Sequence, residues 1–188
     1  ERLLGRGGFA STYLAHHEQT GRRVALKLLH PFRQDDPEFL WRFRQEARLG
    51  SLLDHPNLVR LVDPGPASGS PWLAMEYVDG QRLDHHLRDH GPLPGPEALC
   101  LAGAIAAAMA HAHAHGVVHR DLKPGNVMLL DGQVKVMDFG IARTMDSETL
   151  TTTYAFLGTP LYAAPEAQLK TQVAGGVPAM CDGVTQGQ

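Results

Sequence analysis

The chain has 188 residues, a formal net charge of −3 from 17 Lys and Arg against 20 Asp and Glu, and 43% apolar residues. That length suits one ordinary domain or two small lobes with a real core, and charge of mixed sign scattered along the chain excludes the basic stripe of a nucleic-acid-binding protein. Its two cysteines, Cys100 and Cys181, form no C-x-x-C pair, which excludes a disulfide framework or a structural zinc site and makes a reducing, cytoplasmic setting the expectation.

In chain order, the first forty residues alternate like strands: LL before a glycine cluster, TYLA after it, a Thr20-Gly21 turn, then VALKLL. This predicts a small antiparallel sheet. Asp36 is placed to cap a helix whose first position is Pro37, and Phe39, Phe43 and Glu46 recur on one face of it up to about Leu53. Glu46 therefore points where the apolar side points. The basic run RFRQEAR (42–48) reads as a solvated face of the same helix. LVRLV (58–62) and WLAMEYV (72–78), separated by the loop DPGPASGSP, bring the candidate strands to five.

Beyond Gly80 the pattern turns helical, with a short helix over 82–89 and a long one over 96–115. The apolar run 98–110 is mostly alanine and too short to span a bilayer, so it reads as a buried helix with Cys100 as a small buried side chain, and no membrane segment is expected. His111 and His115 are spaced for one helical face, yet a metal site needs further ligands and none stands nearby, so a structural role is expected for them. NVMLL and QVKVM flank Asp131-Gly132, a strong hairpin signal. From Ile141 to Ala163 no regular period survives, which predicts a long functional loop.

Four stretches carry chemistry. GRGGFA (5–10) is a glycine-rich turn that lets backbone N–H groups approach phosphate oxygens, although alone it is equally a plain turn. It leads into a strand rather than a helix, which excludes a dinucleotide-binding βαβ unit and suggests a hairpin lid. Lys27 ends an alternating pattern that would bury its charge, and the inward-facing Glu46 is the candidate counter-ion. HRDLKPGN (119–126) and DFG (138–140) then place Asp121, Lys123, Asn126 and Asp138 in two loops joined by the hairpin. Two carboxylates, an amine and an amide can hold hard cations and a phosphate, since Mg²⁺ takes a few protein oxygens together with substrate oxygens.

With these motifs in this order, residues 1 to about 168 resemble the protein kinase family. The resemblance implies an α+β fold of two lobes, a sheet lobe over 1–79 and an incomplete helical lobe over 80–168. It implies ATP and Mg²⁺ as cofactors and a protein bearing Ser or Thr as substrate. By it, Gly5, Gly7 and the backbone at Ala10 cover the phosphates; Lys27 contacts them and pairs with Glu46; Thr12, Ala25 and Met128 join the nucleotide-binding set. The backbone of Glu76 and Val78, after the gatekeeper position Met75, would read the adenine edge. Asp121 would be the catalytic base, Lys123 would steady the γ-phosphate, and Asn126 and Asp138 would hold the metal. Ala10 and Thr12 depart from the family's usual glycine and valine. Both changes are small.

DLKPGN, and GTPLY with Thr159 ahead of AAPE, resemble Ser/Thr rather than Tyr kinases, with wording like that of bacterial members. Arg42, Arg120 and Arg143 match positions that can face a phosphorylated loop, and Thr151 and Thr153 match sites of autophosphorylation, which self-association would serve; Ala155 fills a position often phosphorylated elsewhere in the family. The likeness stops after Glu166. TQVAGGVPAMCDGVTQGQ instead resembles dihydroxy-acid and phosphogluconate dehydratases, in which the cysteine matching Cys181 ligates an iron–sulfur cluster. Residues 169–188 are therefore expected to be a foreign or disordered tail without function. The rival readings are an inactive nucleotide-binding or interaction fragment, because the base of the large lobe is missing, and a dehydratase fragment defined by the tail alone.

Overall fold

The structure, a computed structural model, describes residues 2–66, 69–139 and Tyr162. The chain divides into two units, Glu1–Met145 and Asp146–Gln188, and every element below belongs to the first.

Three strands open it: β1 (Arg2–Arg6), β2 (Ala10–His16) and β3 (Arg23–Leu29). Gly21 at φ +65° turns β2 into β3, as the Thr20-Gly21 signal predicts. An unpredicted single-turn helix α1 (Pro31–Gln34) precedes helix α2 (Pro37–Gly50). Asp36 caps α2 by accepting a hydrogen bond from the Glu38 N–H at 3.0 Å, with Pro37 at the first helical position. Strands β4 (Leu61–Asp63) and β5 (Trp72–Glu76) complete an antiparallel sheet in the order β1-β2-β3-β5-β4. The predicted strand over 58–62 is shorter than expected. Leu58 instead forms a single parallel bridge with Val136, which anchors that segment to a residue 78 positions further along the chain.

The second part holds β6 (Gln81–Arg82), α3 (Leu83–His90), α4 (Gly95–Ala114), a 3₁₀ turn (Pro124–Asn126), β7 (Val127–Leu130) and β8 (Gln133–Val136). β6, β7 and β8 form a three-stranded antiparallel sheet, and Asp131 and Gly132, both at positive φ, close the predicted hairpin. One core cluster joins Leu53 and Leu58 to Ala108 and Ala112 of α4, Val117 and Val136. The alanines let the 53–58 segment approach α4 closely.

Two expectations for α4 are corrected. The helix is not buried as a whole but packs on one side only, with Ala108 and Ala112 its buried residues; its length and composition would also suffice to cross a membrane, a test that core helices of soluble proteins pass as well. Cys100 is exposed, because it lies away from that alanine seam.

Candidate active site

A cavity of about 740 Å³ opens beneath the β1–β2 turn. Its walls include Gly5, Gly7, Ala10, Thr12, Ala25, Lys27, Glu46, Met75, Glu76, Val78, Lys123, Asn126, Met128 and Asp138. Gly7 tightens the turn by donating its N–H to the Ala10 carbonyl at 2.9 Å. Of the candidate residues, Asp121 alone is not in the wall. It stands just behind, 14% exposed, with Oδ2 2.8 Å from Lys123 Nζ.

Strand alternation drives Lys27 inward, and helix periodicity brings Glu46 to meet it. Lys27 Nζ donates to Glu46 Oε1 at 2.5 Å and to Asp138 Oδ1 at 3.4 Å. Burial alone would lower the Lys27 ammonium, but the charges of Glu46 and Asp138 outweigh it and hold the group above the ordinary lysine value. Burial pushes the Glu46 carboxyl up, with Lys27 opposing and Asp138 adding to the effect. The Lys27 cation in the cavity wall therefore stays charged.

The loop between α4 and the 3₁₀ turn is fixed by hydrogen bonds that the sequence order foreshadows. His119 is 2% exposed; its Nε2 donates to the Met137 carbonyl at 3.0 Å, while its Nδ1 accepts the Asp121 N–H at 3.3 Å. One nitrogen donates and the other accepts, so the ring is held neutral. Burial depresses its pKa, with the Met137 carbonyl and Asp121 partly opposing. Asn126 donates Nδ2 to the Asp121 carbonyl at 2.8 Å and to Asp121 Oδ2 at 3.2 Å, which turns its amide oxygen the other way. Arg120 and Asp138 take left-handed φ values of 61° and 56°, rare for residues with a Cβ. The chain bends sharply at both ends of the site.

Residues 1–177 match the protein kinase domain family. The chain belongs to the protein kinase family. It is 42% identical over 166 residues to the serine/threonine-protein kinase PrkC of Bacillus subtilis, covering 88% of this chain and 26% of that protein. Over 175 residues it is 40% identical to the serine/threonine-protein kinase PknA of Mycobacterium tuberculosis, covering 90% and 41%. The chain thus spans less than half of these curated relatives. Among solved structures, the kinase domain of Mycobacterium tuberculosis PknI superposes with a TM-score of 0.65 at 38% identity, covering 76% of this chain and 57% of that one. Rad53 in complex with AMP-PNP superposes with a TM-score of 0.72 at 28% identity, covering 93% and 42%. The α+β, two-sheet arrangement is that of an incomplete two-lobed kinase fold.

The donor set fits a divalent cation of the kind this family employs. Asp138 offers a carboxylate that is 44% exposed, and Asn126 offers an amide oxygen whose nitrogen is already engaged. Two protein oxygens leave room for phosphate oxygens and water, as Mg²⁺ prefers. The histidines of α4 do something else. His111 stacks between His55 and His115 at ring-centroid distances of 5.3 and 4.5 Å, and among the described residues no three metal-ligating side chains converge.

Arg42 corrects the picture of a solvated basic face. It is 6% exposed, paired with Glu38 and stacked at 5.6 Å on the Phe39 ring, because it lies on the cavity side of α2. Sequence reasoning also missed Phe9, which joins Phe39 and Phe43 in the wall. Phe9 is the one aromatic side chain in a turn otherwise built of glycine and arginine, which is the available signal. Gly140, Arg143, Thr151, Thr153, Ala155, Thr159, the segment 164–166 and Cys181 lie outside the described residues.

Proposed function

We propose that this chain is the catalytic part of a Ser/Thr protein kinase that transfers the γ-phosphoryl group of ATP to a protein hydroxyl. The observation that supports it best is the meeting of Lys27, Glu46 and Asp138 at one end of a cavity whose floor carries Lys123 and Asn126, with Asp121 hydrogen-bonded to that floor. In this reading the glycine turn and Lys27 position the phosphates, and the Glu76–Val78 backbone takes the adenine edge. The substrate oxygen bonds to the γ-phosphorus as the bond to the ADP oxygen breaks, and Asp121 accepts the hydroxyl proton. Lys123, 2.8 Å from Asp121 Oδ2, supplies positive charge where the transferring group would sit. Asn126 and Asp138 would hold Mg²⁺, which when bound would neutralise phosphate charge.

Residues 1–79 and 80–168 are assigned to the two lobes and 169–188 to a tail without a catalytic role. Thr151 and Thr153 are assigned as autophosphorylation sites, to be read by phosphopeptide mapping. The deciding experiment is ATP- and Mg²⁺-dependent phosphorylation of the chain itself or of a generic protein, compared with Asp121→Asn. Transfer in the native sequence that disappears in the variant supports the assignment; equal transfer in both refutes it.

A further inference from the structure

The glycine turn is held from outside the cavity by a short segment that no family role accounts for. Immediately after β3, the His30 N–H donates to the Phe9 carbonyl at 2.8 Å. The His30 ring meets Ser11 Oγ at 2.9 Å through Nε2, and both side chains are buried. Three residues further on, Arg33 sits in an aromatic nest. Its Cζ lies 4.3 Å from the Phe39 ring centroid, 5.3 Å from Phe32 and 5.7 Å from Phe9. Phe9 and Phe39 in turn pack against one another at 4.8 Å with their planes 31° apart.

Phe9 and Phe39 belong to the cavity wall, whereas Arg33 does not. The guanidinium therefore presses two wall rings together from behind. Arginine suits this place because its planar, weakly hydrated cation stacks on ring faces, and Nε is buried here without a hydrogen-bond partner among the described residues. The rings supply the attraction that a carboxylate would supply elsewhere. Phe39 is on α2, two turns before Glu46. A contact that joins Phe9 to Phe39 thus ties the glycine turn to the helix that pins Lys27.

We propose that Arg33 is a positioning residue: by clamping Phe9 of the glycine turn against Phe39 of α2, it sets how closely that turn sits over the phosphates of bound ATP. This inference rests on the kinase reading above. It predicts an effect on nucleotide affinity rather than on the chemical step, because Arg33 touches neither Asp121 nor Lys123.

The test is steady-state kinetics of the full chain with varied ATP at saturating peptide, for the native sequence, Arg33→Leu and Arg33→Lys. Arg33→Leu retains bulk against the rings and removes the charge. Its KM for ATP is expected to rise about 3- to 20-fold, the range of a partly desolvated cation–π contact, with kcat changed less than twofold and Arg33→Lys recovering most of the loss. Phe9→Leu should raise KM similarly, and adding Arg33→Leu to it should cost little more in KM, since both undo the same clamp of Phe9 on Phe39. An unchanged KM in Arg33→Leu while the native chain is active overturns the inference and leaves the kinase reading intact. Equal losses of kcat and KM effect with a lowered melting temperature, unrelieved by lysine, also overturn it, as a packing role only. Should Arg33→Leu fail to fold, Phe9→Leu decides by the same KM criterion. A native chain that transfers no phosphate from ATP refutes the kinase reading itself, and the inference with it.

Discussion

Glu46 Oε1 accepts a hydrogen bond from Lys27 Nζ at 2.5 Å, and the same ammonium reaches Asp138 Oδ1 at 3.4 Å. One cation thereby links β3, α2 and the segment after β8. Both members of the main pair are largely buried, at 18% and 15% exposure, so removing Lys27 takes from the Glu46 carboxylate its cation, and removing Glu46 leaves Lys27 only the longer contact to Asp138.

Lys27→Met should therefore abolish measurable transfer and lower stability by about 3 kcal/mol, the lower end for a broken buried pair. Glu46→Gln keeps the shape and one hydrogen-bond acceptor, so its stability cost should be smaller, while transfer should fall at least tenfold as Lys27 loses its fixed direction. Denaturant melts and kinase assays on both variants separate the two effects. An Lys27→Met protein as active as the native one contradicts the assigned role.

Asp121 and Asn126 touch, yet they should fail differently. Asp121→Asn removes a general base, so kcat should drop by about 10²–10⁴ with ATP affinity little changed. Asn126→Ala deletes a 7% exposed side chain that donates twice to Asp121. It should cost about 1–3 kcal/mol of stability and also shift the Mg²⁺ dependence of transfer to higher concentration. Magnesium titration of both variants, at fixed ATP, distinguishes the metal-holding residue from the base.

Much of this site was legible in the sequence because its parts are local. Alternation placed Lys27 on the inner face, a 3.6 period placed Glu46 opposite, and Asp131-Gly132 announced the hairpin that holds the two loops together. The contacts that were not legible are made between distant segments. Nothing near Arg42 in sequence says that Phe39 would receive it, and nothing in an alanine-rich run says which side packs. Only the 53–58 segment, folded onto Ala108 and Ala112, decides that and leaves Cys100 outside. The Arg33 nest depends likewise on a turn, a single-turn helix and α2 meeting in space.

Gly80 was passed over as a mere boundary, and the structure gives it a steric task. A Cβ there would lie 2.2 Å from the Leu129 carbonyl oxygen, which is backbone and has little room to yield. Gly80→Ala should push β6 off β7 and destabilise the fold by about 1–3 kcal/mol, the usual scale of overpacking. Gly103 of α4 is a matched control, since its Cβ would meet nothing within 4 Å and alanine favours the helix. Thermal melts should show a loss for Gly80→Ala and no loss for Gly103→Ala.

The buried imidazole of His119 makes stability depend on pH in a defined direction. Its pKa is depressed in the folded state by burial, so the unfolded chain binds the proton more readily. The neutral ring's contribution is fully present above the unfolded value of about 6.5 and is lost as pH falls through the lower folded value. Within that window the slope is at most one proton, about 1.4 kcal/mol per pH unit. Protonation would also place a hydrogen on Nδ1, the atom that accepts the Asp121 N–H, and so disturb the catalytic loop before the fold is lost. The melting temperature should therefore begin to fall below about pH 6.5, and transfer should decline at lower pH, as the ring of the folded chain itself takes up the proton. His119→Phe, which cannot titrate, should flatten the pH dependence of stability over this range, although it loses the hydrogen bond to Met137 and starts from a lower melting temperature. A native-like slope in His119→Phe would assign the acid sensitivity to other groups.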